Sequence, residues 1–363
     1  MTFDAKRILQ LLLLIFVPVG CQIKPVASWP VEQIDLSGYE EKPFSEYFSL
    51  NKDNISVLKV DPAPEYRLGI VDRAVFTESK IFLRDAGMKR LVAISRQDGG
   101  GLYTVGGFGR AENEFLQVSG FDTDDKGNIW VLDARSRKIK QYDERGNFIR
   151  QFALKDTPMD VKSLSGDDFM TYQYPVQTGL NHQLRRYRSA FRAEEDLLPL
   201  PPGFDPSGIL TSQSFNPADA TSFYSCDLFV DDYISLVDMK GEVIHQYKLD
   251  FGRYRVPDSI RPSISEHSSE LVKYRCVCSP VFVTEAIVGG KLFNKTALSF
   301  FVADRTTRVI YIPSAGYEQM TLIYCDDERM SFYVNSYIDD PFIAELCPDV
   351  EVSDYIVTLN TTR

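Results

Sequence analysis

Histidine is nearly missing from this sequence: three in 363 residues, at 182, 245 and 267. There is no HExxH and no GxSxG. General-base chemistry by histidine and a serine nucleophile elbow therefore have no motif to rest on. Cysteine is sparse and unpatterned. Beyond Cys21 it occurs at 226, 276, 278, 325 and 347, with no CxxC pair and no histidine at ligand spacing, which excludes the common zinc modules. A chain of this size does not need a disulfide framework, and the five read as buried small hydrophobes, with Cys325 and Cys347 the best pair if one bridge forms. Cys276 and Cys278, if in a strand, share one face about 6.6 Å apart, near the upper limit for bridging. A basic surplus is also lacking. The formal net charge is −11, which repels phosphate backbones and removes nucleic acid from the expected partners. The glycine-rich "GGGLYTVGGFGR" lacks the Lys-Ser/Thr ending and the helix pattern of a phosphate loop, and reads as a hairpin plus a crossover. No apolar run beyond the N-terminus is long enough to cross a bilayer.

Packing material is plentiful instead: 44% hydrophobic and 12% aromatic, with 24 Phe and 19 Tyr, residue types that favour sheets. The N-terminus carries Lys6 and Arg7, an apolar run from Ile8 to Val19, and Gly20 before Cys21. About a dozen apolar residues cannot span roughly 30 Å of hydrocarbon. The segment resembles a bacterial lipoprotein signal peptide, although that pattern prefers Leu where Pro18 stands. The resemblance implies cleavage after residue 20 and a diacylglycerol on Cys21, with a plain secretory signal as the alternative. The lipid would be the membrane attachment.

The stretch "GFDTDDKGNIWVLDARSRKIKQYDERGNFIRQF", from Gly120, contains short alternating runs broken by DKGN and DERGN. Asp125 and Asp143 are read as starting hairpin turns that a glycine closes at positive φ. Strands are expected at about 118–124, 128–133, 138–143 and 147–153. The unit recurs. "YISLVDMKGEVIHQYKLDF" lays Asp238 to Gly241 over Asp143 to Gly146, and "FFVADRTTRVIYI" lays Asp304 and Arg308 over Asp133 and Arg137. "KIFLRDAGMKRLVAI" supplies a copy with Asp85, while degenerate copies begin near 167 and 329. Six four-stranded meanders at a period of about 40 to 50 residues predict a β-propeller, with N- and C-terminal strands meeting to close the ring. The expected fold class is all-β, a six-bladed β-propeller of four-stranded antiparallel blades. Residues 1–20 are read as signal peptide, 21–50 as a tether, and 51–363 as the propeller.

The run "VSGFDTDDKGNIWVLDARSRKIKQYDERGNFIRQF" resembles an NHL repeat. With "VGGFGRAENEF" and "SVLKV…IVDRAVFTESKIFLRD", the chain is similar to the six-bladed β-propeller lipoproteins of Bacteroidetes. That family usually has Gly-Pro before Glu-Phe, where Glu112-Asn113 stands here. The resemblance implies an envelope protein anchored in the outer membrane. Gln22-Ile23-Lys24 lacks the acidic residues that often mark surface export, so periplasmic and surface sides both stay open.

Asp133 with Arg137 and Asp304 with Arg308 recur at what read as matching blade positions. A repeated contact points to structure, whereas chemistry needs one constellation. His245 falls in an outermost strand, and His182 and His267 in polar segments. Acidic groups at Asp122 to Asp125, Asp231-Asp232, Asp326 to Glu328 and Asp339-Asp340 can serve as Ca²⁺ ligands or as solvated turns; no catalytic residue and no metal ligand is assigned. Segments 194–220 and 252–275 are too long and too rich in proline or serine for tight hairpins. Phe204, Arg253, Tyr254 and Arg255 on them are the candidate partner-binding residues. The leading expectation is a lipid-anchored, non-catalytic binding or scaffolding module with an envelope protein or glycan partner. The alternative is a lactonase-like hydrolase or lyase with a metal at the central channel.

Overall fold

The computed structural model describes residues 29–361 apart from 62–63, 174–181, 189–192, 201–213, 227–232, 262–266, 295–296, 314–319, 336–343, 345 and 348–352. The first described elements are strands β1 (Val31–Asp35) and β2 (Glu40–Pro43), a two-turn helix α1 (Phe44–Leu50), and β3 (Ile55–Val60). Blade 1 follows as β4 (Val71–Phe76), β5 (Lys80–Asp85), β6 (Arg90–Ser95) and β7 (Gly101–Gly106). Blade 2 is β8 (Val118–Thr123), β9 (Ile129–Asp133), β10 (Lys138–Tyr142) and β11 (Phe148–Ala153). Blade 3 is β12 (Pro158–Ser163), β13 (Phe169–Gln173), β14 (His182–Arg188) and β15 (Ala193–Pro199). Blade 4 is β16 (Phe215–Pro217), β17 (Ser222–Cys226), β18 (Tyr233–Asp238) and β19 (Val243–Asp250). Blade 5 is β20 (Arg275–Val283), β21 (Ile287–Asn294), β22 (Ala297–Asp304) and β23 (Val309–Ile312). Blade 6 has β24 (Thr321–Asp326), β25 (Arg329–Val334) and β26 (Asp354–Asn360). The first strand of each blade contacts the first strands of other blades, which places it at the axis.

Turn chemistry sets the hairpins where the sequence led us to expect them. Gly127, Gly146 and Gly241 take φ of 79, 83 and 83°, and the Asp143 and Asp238 carboxylates accept the N–H groups of their turns. One detail differs: Asp124, not Asp125, caps the first turn, because its carboxylate receives the N–H groups of Lys126 and Asn128 and the indole N–H of Trp130. Trp130 then stacks on Phe152 and Phe169, and Phe169 on Tyr187, so aromatic packing runs from blade 2 into blade 3.

The ring is closed by the other end of the chain. β3 pairs antiparallel with β26, from Ile55 opposite Leu359 to Val60 opposite Asp354, and becomes the outermost strand of blade 6. The expected meeting of terminal strands is thus present. The tether is not, from residue 31 onward. β1 adds in parallel to the outer edge of blade 4 and β2 to that of blade 5. Between them and β3, α1 drives Phe44, Tyr47 and Phe48 into the core. These three sit at i, i+3 and i+4, one face of a helix. The stretch looked like a linker because its strands are short and flanked by prolines, and because what orders it is tertiary contact. It forms a strap across blades 4, 5 and 6.

Two further expectations are corrected. Residues 194–199 are strand rather than loop, since β15 pairs with β14 along its length. Asp304 to Arg308 joins the third and fourth strands of blade 5, whereas Asp133 to Arg137 joins the second and third of blade 2. The true counterpart of the latter is Asp85 to Lys89 in blade 1. Arg137, Arg308 and Lys89 all adopt left-handed φ, 53, 57 and 53°. An aspartate-capped turn is local chemistry that serves any hairpin, so it carries no information on blade position. The structural reading of these aspartates stands: Asp133 accepts the N–H groups of Leu116, Gln117 and Ser136, and Asp304 those of Thr306 and Thr307.

Candidate functional site

Five of the six innermost strands are bulged. The ladder slips at Val71/Arg73, Val118/Gly120, Pro158/Asp160, Cys278/Val281 and Leu322/Tyr324, leaving Asp72, Ser119, Met159, Ser279 with Pro280, and Ile323 unpaired. A bulge bends the strand and re-aims its side chains. Here it lets charged residues meet around the axis. Arg84 forks onto Asp72, with Nε and Nη2 each 2.7 Å from a carboxylate oxygen, and its Nη1 donates to the Ser119 carbonyl of blade 2. Arg73 Nη1 lies 2.5 Å from Asp160 Oδ1 of blade 3. Asp160 Oδ2 accepts the N–H groups of Ser214 and Phe215, leading into blade 4. The Asn216 amide continues the belt by exchanging hydrogen bonds with the Val281 backbone of blade 5 and donating to the Cys325 carbonyl of blade 6. Gly120 permits one of these approaches: a Cβ there would stand 2.2 Å from Asp160 Oδ1.

Lys291, on the second strand of blade 5, reaches the Asp72 carbonyl of blade 1 at 3.4 Å, and burial lowers its pKa. Burial would raise the Asp72 pKa, but Arg84 beside it prevails and holds the carboxyl below its usual range. Three cations, Arg73, Arg84 and Lys291, thus face two carboxylates, Asp72 and Asp160. Each carboxylate is held by a guanidinium, an arrangement suited to tying blades together rather than to proton abstraction or cation binding. Among the described residues no three of His, Cys, Asp and Glu converge as metal ligands would.

The blades present two faces. One carries the first and third hairpin turns, the other the middle hairpins and the crossovers between blades. The axial channel opens on the hairpin face into a cavity of about 130 Å³, lined by Arg73, Phe76, Asp122, Lys162, Phe215 and Tyr324 among others. That is room for roughly four waters, at ~30 Å³ each. Lys162 is neutralised by Asp122 at 2.8 Å, and Ser163 fills the same carboxylate through its N–H and hydroxyl.

The crossover face carries the insertion between blades 4 and 5. It is not a bare loop. Val256 and Leu271 bury against Cys276 and Cys278, flanked by Ile260, Tyr274 and Phe293. On this support the Tyr254 ring lies 4.2 Å from the Arg275 guanidinium carbon and 4.8 Å from that of Arg253, which is exposed. Arg275 also pairs with Glu41 of the strap at 3.0 Å, and Arg255 pairs with Asp258 at 2.7 Å. Arg253, Tyr254 and Arg255 are therefore brought together at the surface. Phe204, Cys21, Asp231-Asp232 and Asp339-Asp340 lie outside the described residues.

The remaining sequence candidates are dispersed. His182 Nε2 lies 3.1 Å from Asp196 Oδ1 in blade 3, its pKa lowered by burial; His245 sits in β19, and His267 meets Glu270 at 3.0 Å. Asp326 binds the Tyr324 hydroxyl and Arg329, while Asp327 accepts the Tyr224 hydroxyl at 2.7 Å. The five described cysteines are buried and form no disulfide, so Cys325 and Cys347 are not bridged. Sequence reasoning missed the belt of Asp72, Arg73, Arg84, Asp160 and Lys291. Its signal was present: charged residues inside "VDRAVF", "IFLRD" and "IVGGKLF", where a buried strand otherwise alternates or runs apolar.

Comparison with known proteins agrees with the architecture. Residues 30–322 match a family model described as 6-bladed beta-propeller. No curated protein matches the chain. Among solved structures, a Bacteroides fragilis protein described as exported is 15% identical, with a TM-score of 0.68 over 92% of this chain and 99% of its own. A member of the duf4221 family from Bacteroides vulgatus is 11% identical, with a TM-score of 0.52 over 85% and 96%. Virginiamycin B lyase from Staphylococcus aureus is 10% identical with a TM-score of 0.43 over 83% and 82%, a likeness too slight to argue from.

Proposed function

The chain belongs to the six-bladed β-propeller family whose model it matches over residues 30–322, and we propose that it is a non-catalytic binding module of the cell envelope, held by a lipid on Cys21. The observation that carries the binding reading is the insertion between blades 4 and 5. This segment, too long for a tight connection, buries Val256 and Leu271 against Cys276 and Cys278 of β20, and the surface it then shows is Arg253, Tyr254 and Arg255. Large aromatics and arginines are the residue types that anchor interfaces. A partner of envelope protein or glycan type suits this surface, because a tyrosine face and guanidinium groups serve carboxylates, hydroxyls and sugar rings alike. The axial charges support the non-catalytic part of the reading, since Asp72 and Asp160 are each held by a guanidinium and Asp122 by Lys162. Lipidation is supported by the Gly20-Cys21 junction behind a basic start and a short apolar run.

A photoreactive residue at position 253, compared with one at Lys126 on the opposite face, tests the proposal in the native envelope. Crosslinks from 253 that disappear in Tyr254→Ala are expected. Equal yields from both positions, or crosslinks from 126 alone, would refute the assignment. Mass spectrometry of the mature N-terminus tests the anchor, and a first residue other than a lipid-bearing Cys21 would refute it.

A further inference from the structure

The seam where the ring closes contains a second, larger cavity of about 260 Å³. Its walls come from both ends of the chain and from the blade beyond. Ser56, Val57 and Leu58 of β3, Ile356, Thr358 and Asn360 of β26, and Arg329 of β25 form the blade 6 side. Phe76, Ile81 and Arg96 form the blade 1 side. Phe76, Arg96, Arg329 and Asn360 stand at the hairpin ends of their blades, on the face opposite the insertion between blades 4 and 5, so the mouth of the cavity is independent of the partner surface proposed above.

Three properties set it apart from a packing defect. Its floor is apolar: Ile81 and Ile356 are each 1% exposed, and Val57 remains 37% exposed at its edge. Its polar rim is cationic. Arg96 and Arg329 approach the Phe76 ring, at 6.0 and 5.3 Å, and no carboxylate lines the cavity. Arg329 is shared with Asp326 at 2.9 Å, but among the described residues the Arg96 guanidinium is seen to donate only to the Thr77 carbonyl, at 2.9 Å. In a chain of net charge −11, an apolar crevice whose mouth holds an exposed arginine that no described carboxylate pairs with is complementary to an anion carrying an apolar tail.

We propose that this seam binds a small amphipathic carboxylate, its tail along Ile81, Ile356 and Val57 and its carboxylate on Arg96. At ~30 Å³ per water-sized group the volume suits an apolar tail of about eight carbons, with the carboxylate outside it at the mouth. A bound molecule would touch β3, β26 and blade 1 together. It would therefore latch the strand that closes the ring, and it would stabilise the closed form by mass action.

Octanoate, with 1-octanol as its uncharged counterpart, is a suitable probe for the full-length mature protein. Calorimetric titration is expected to show saturable octanoate binding that is stronger than octanol binding. Arg96→Gln should weaken octanoate on the order of tenfold, the effect of one charge-assisted hydrogen bond, and leave octanol unchanged. Val57→Trp, at an exposed strand position, should fill the crevice and weaken both. Hydrogen exchange supplies a readout that a nonspecific detergent effect would not mimic: octanoate should slow the amides of β3 more than those of β11, a comparable outer strand. Absence of saturable binding, or binding that neither variant changes, would overturn the proposal. Equal affinity for octanol and octanoate would overturn its anionic part and with it the assigned ligand class.

Discussion

If residues 31–60 are a strap rather than a tether, truncating one aromatic in α1 should destabilise the whole ring. Phe44 is the residue to remove. It is fully buried, and its ring lies 4.7 Å from Phe300 of blade 5, 4.9 Å from Phe48 and 5.9 Å from Phe332 of blade 6. Phe44→Ala removes the buried ring and leaves a cavity between two blades, a change that costs about 3 to 5 kcal/mol in a well-packed core. A typical total stability is about 5 to 15 kcal/mol, so the variant should lose a large fraction of it. The control is Glu46→Ala, two residues on in the same helix. Glu46 is half exposed and its ion pair with Lys42 spans 3.6 Å, worth about 0 to 1 kcal/mol. Guanidinium unfolding followed by tryptophan fluorescence would measure both. The expected result is a midpoint for Phe44→Ala far below those of wild type and Glu46→Ala, with one shared transition for fluorescence and circular dichroism. If Phe44→Ala cost no more than Glu46→Ala, the helix would be dispensable to the ring and the strap reading would fail.

Gly146→Val should lower thermal stability by on the order of 1 kcal/mol or more, since φ is +83° and its Cβ would stand 2.9 Å from the Tyr103 ring and 3.2 Å from Val105. Gly166→Val has the same kind of φ, +80°, with nothing within 4 Å, so an equal loss in both would show that the interblade contact contributes nothing. The Asp327 carboxyl is pushed up to about 6, chiefly by burial and against its hydrogen bond from Tyr224. A raised acid contributes stability that is present in acid and lost as pH rises through about 6, so Asp327→Asn should gain on wild type by about 1 kcal/mol between about pH 4 and pH 7, a figure reduced for partial exposure. A stability difference between the two that stays constant across that window would refute the shift.

The blades were legible because their instructions are local. An aspartate that caps a turn and a glycine four or fewer residues on at positive φ mark a hairpin wherever they stand, and the strands of blade 2 fall within one residue of their expected limits. The same locality explains the misplacement of Asp304. Its turn is of the kind found at Asp133, left-handed arginine included, and nothing in a five-residue turn records which hairpin of the blade it closes. The strap was illegible for the opposite reason. Val31–Asp35 and Glu40–Pro43 become strands only because the outer edges of blades 4 and 5 present unpaired donors and acceptors to them, and an edge strand borrows its order from its neighbour.

The axial belt lies between these cases. Arg73, Arg84 and Lys291 stand out in the sequence as charges within apolar runs, so a buried ionic cluster could be suspected, but their partners could not be named. Pairing alternates by two along a strand, and a simple count puts Asp72 on the face opposite Arg73. The bulge at Asp72 breaks that count, so that Asp72 takes the Arg84 fork while Arg73 reaches past blade 2 to Asp160. A bulge is one residue of slippage that no turn residue announces, and here it recurs in five inner strands. The recurrence has a physical reason. Strands crowding a ring axis must bend and shed side chains from one face, and each unpaired residue does both at once. The charges at the axis then follow from the bending that makes room for them, and the belt they form joins blades that the meanders alone leave side by side.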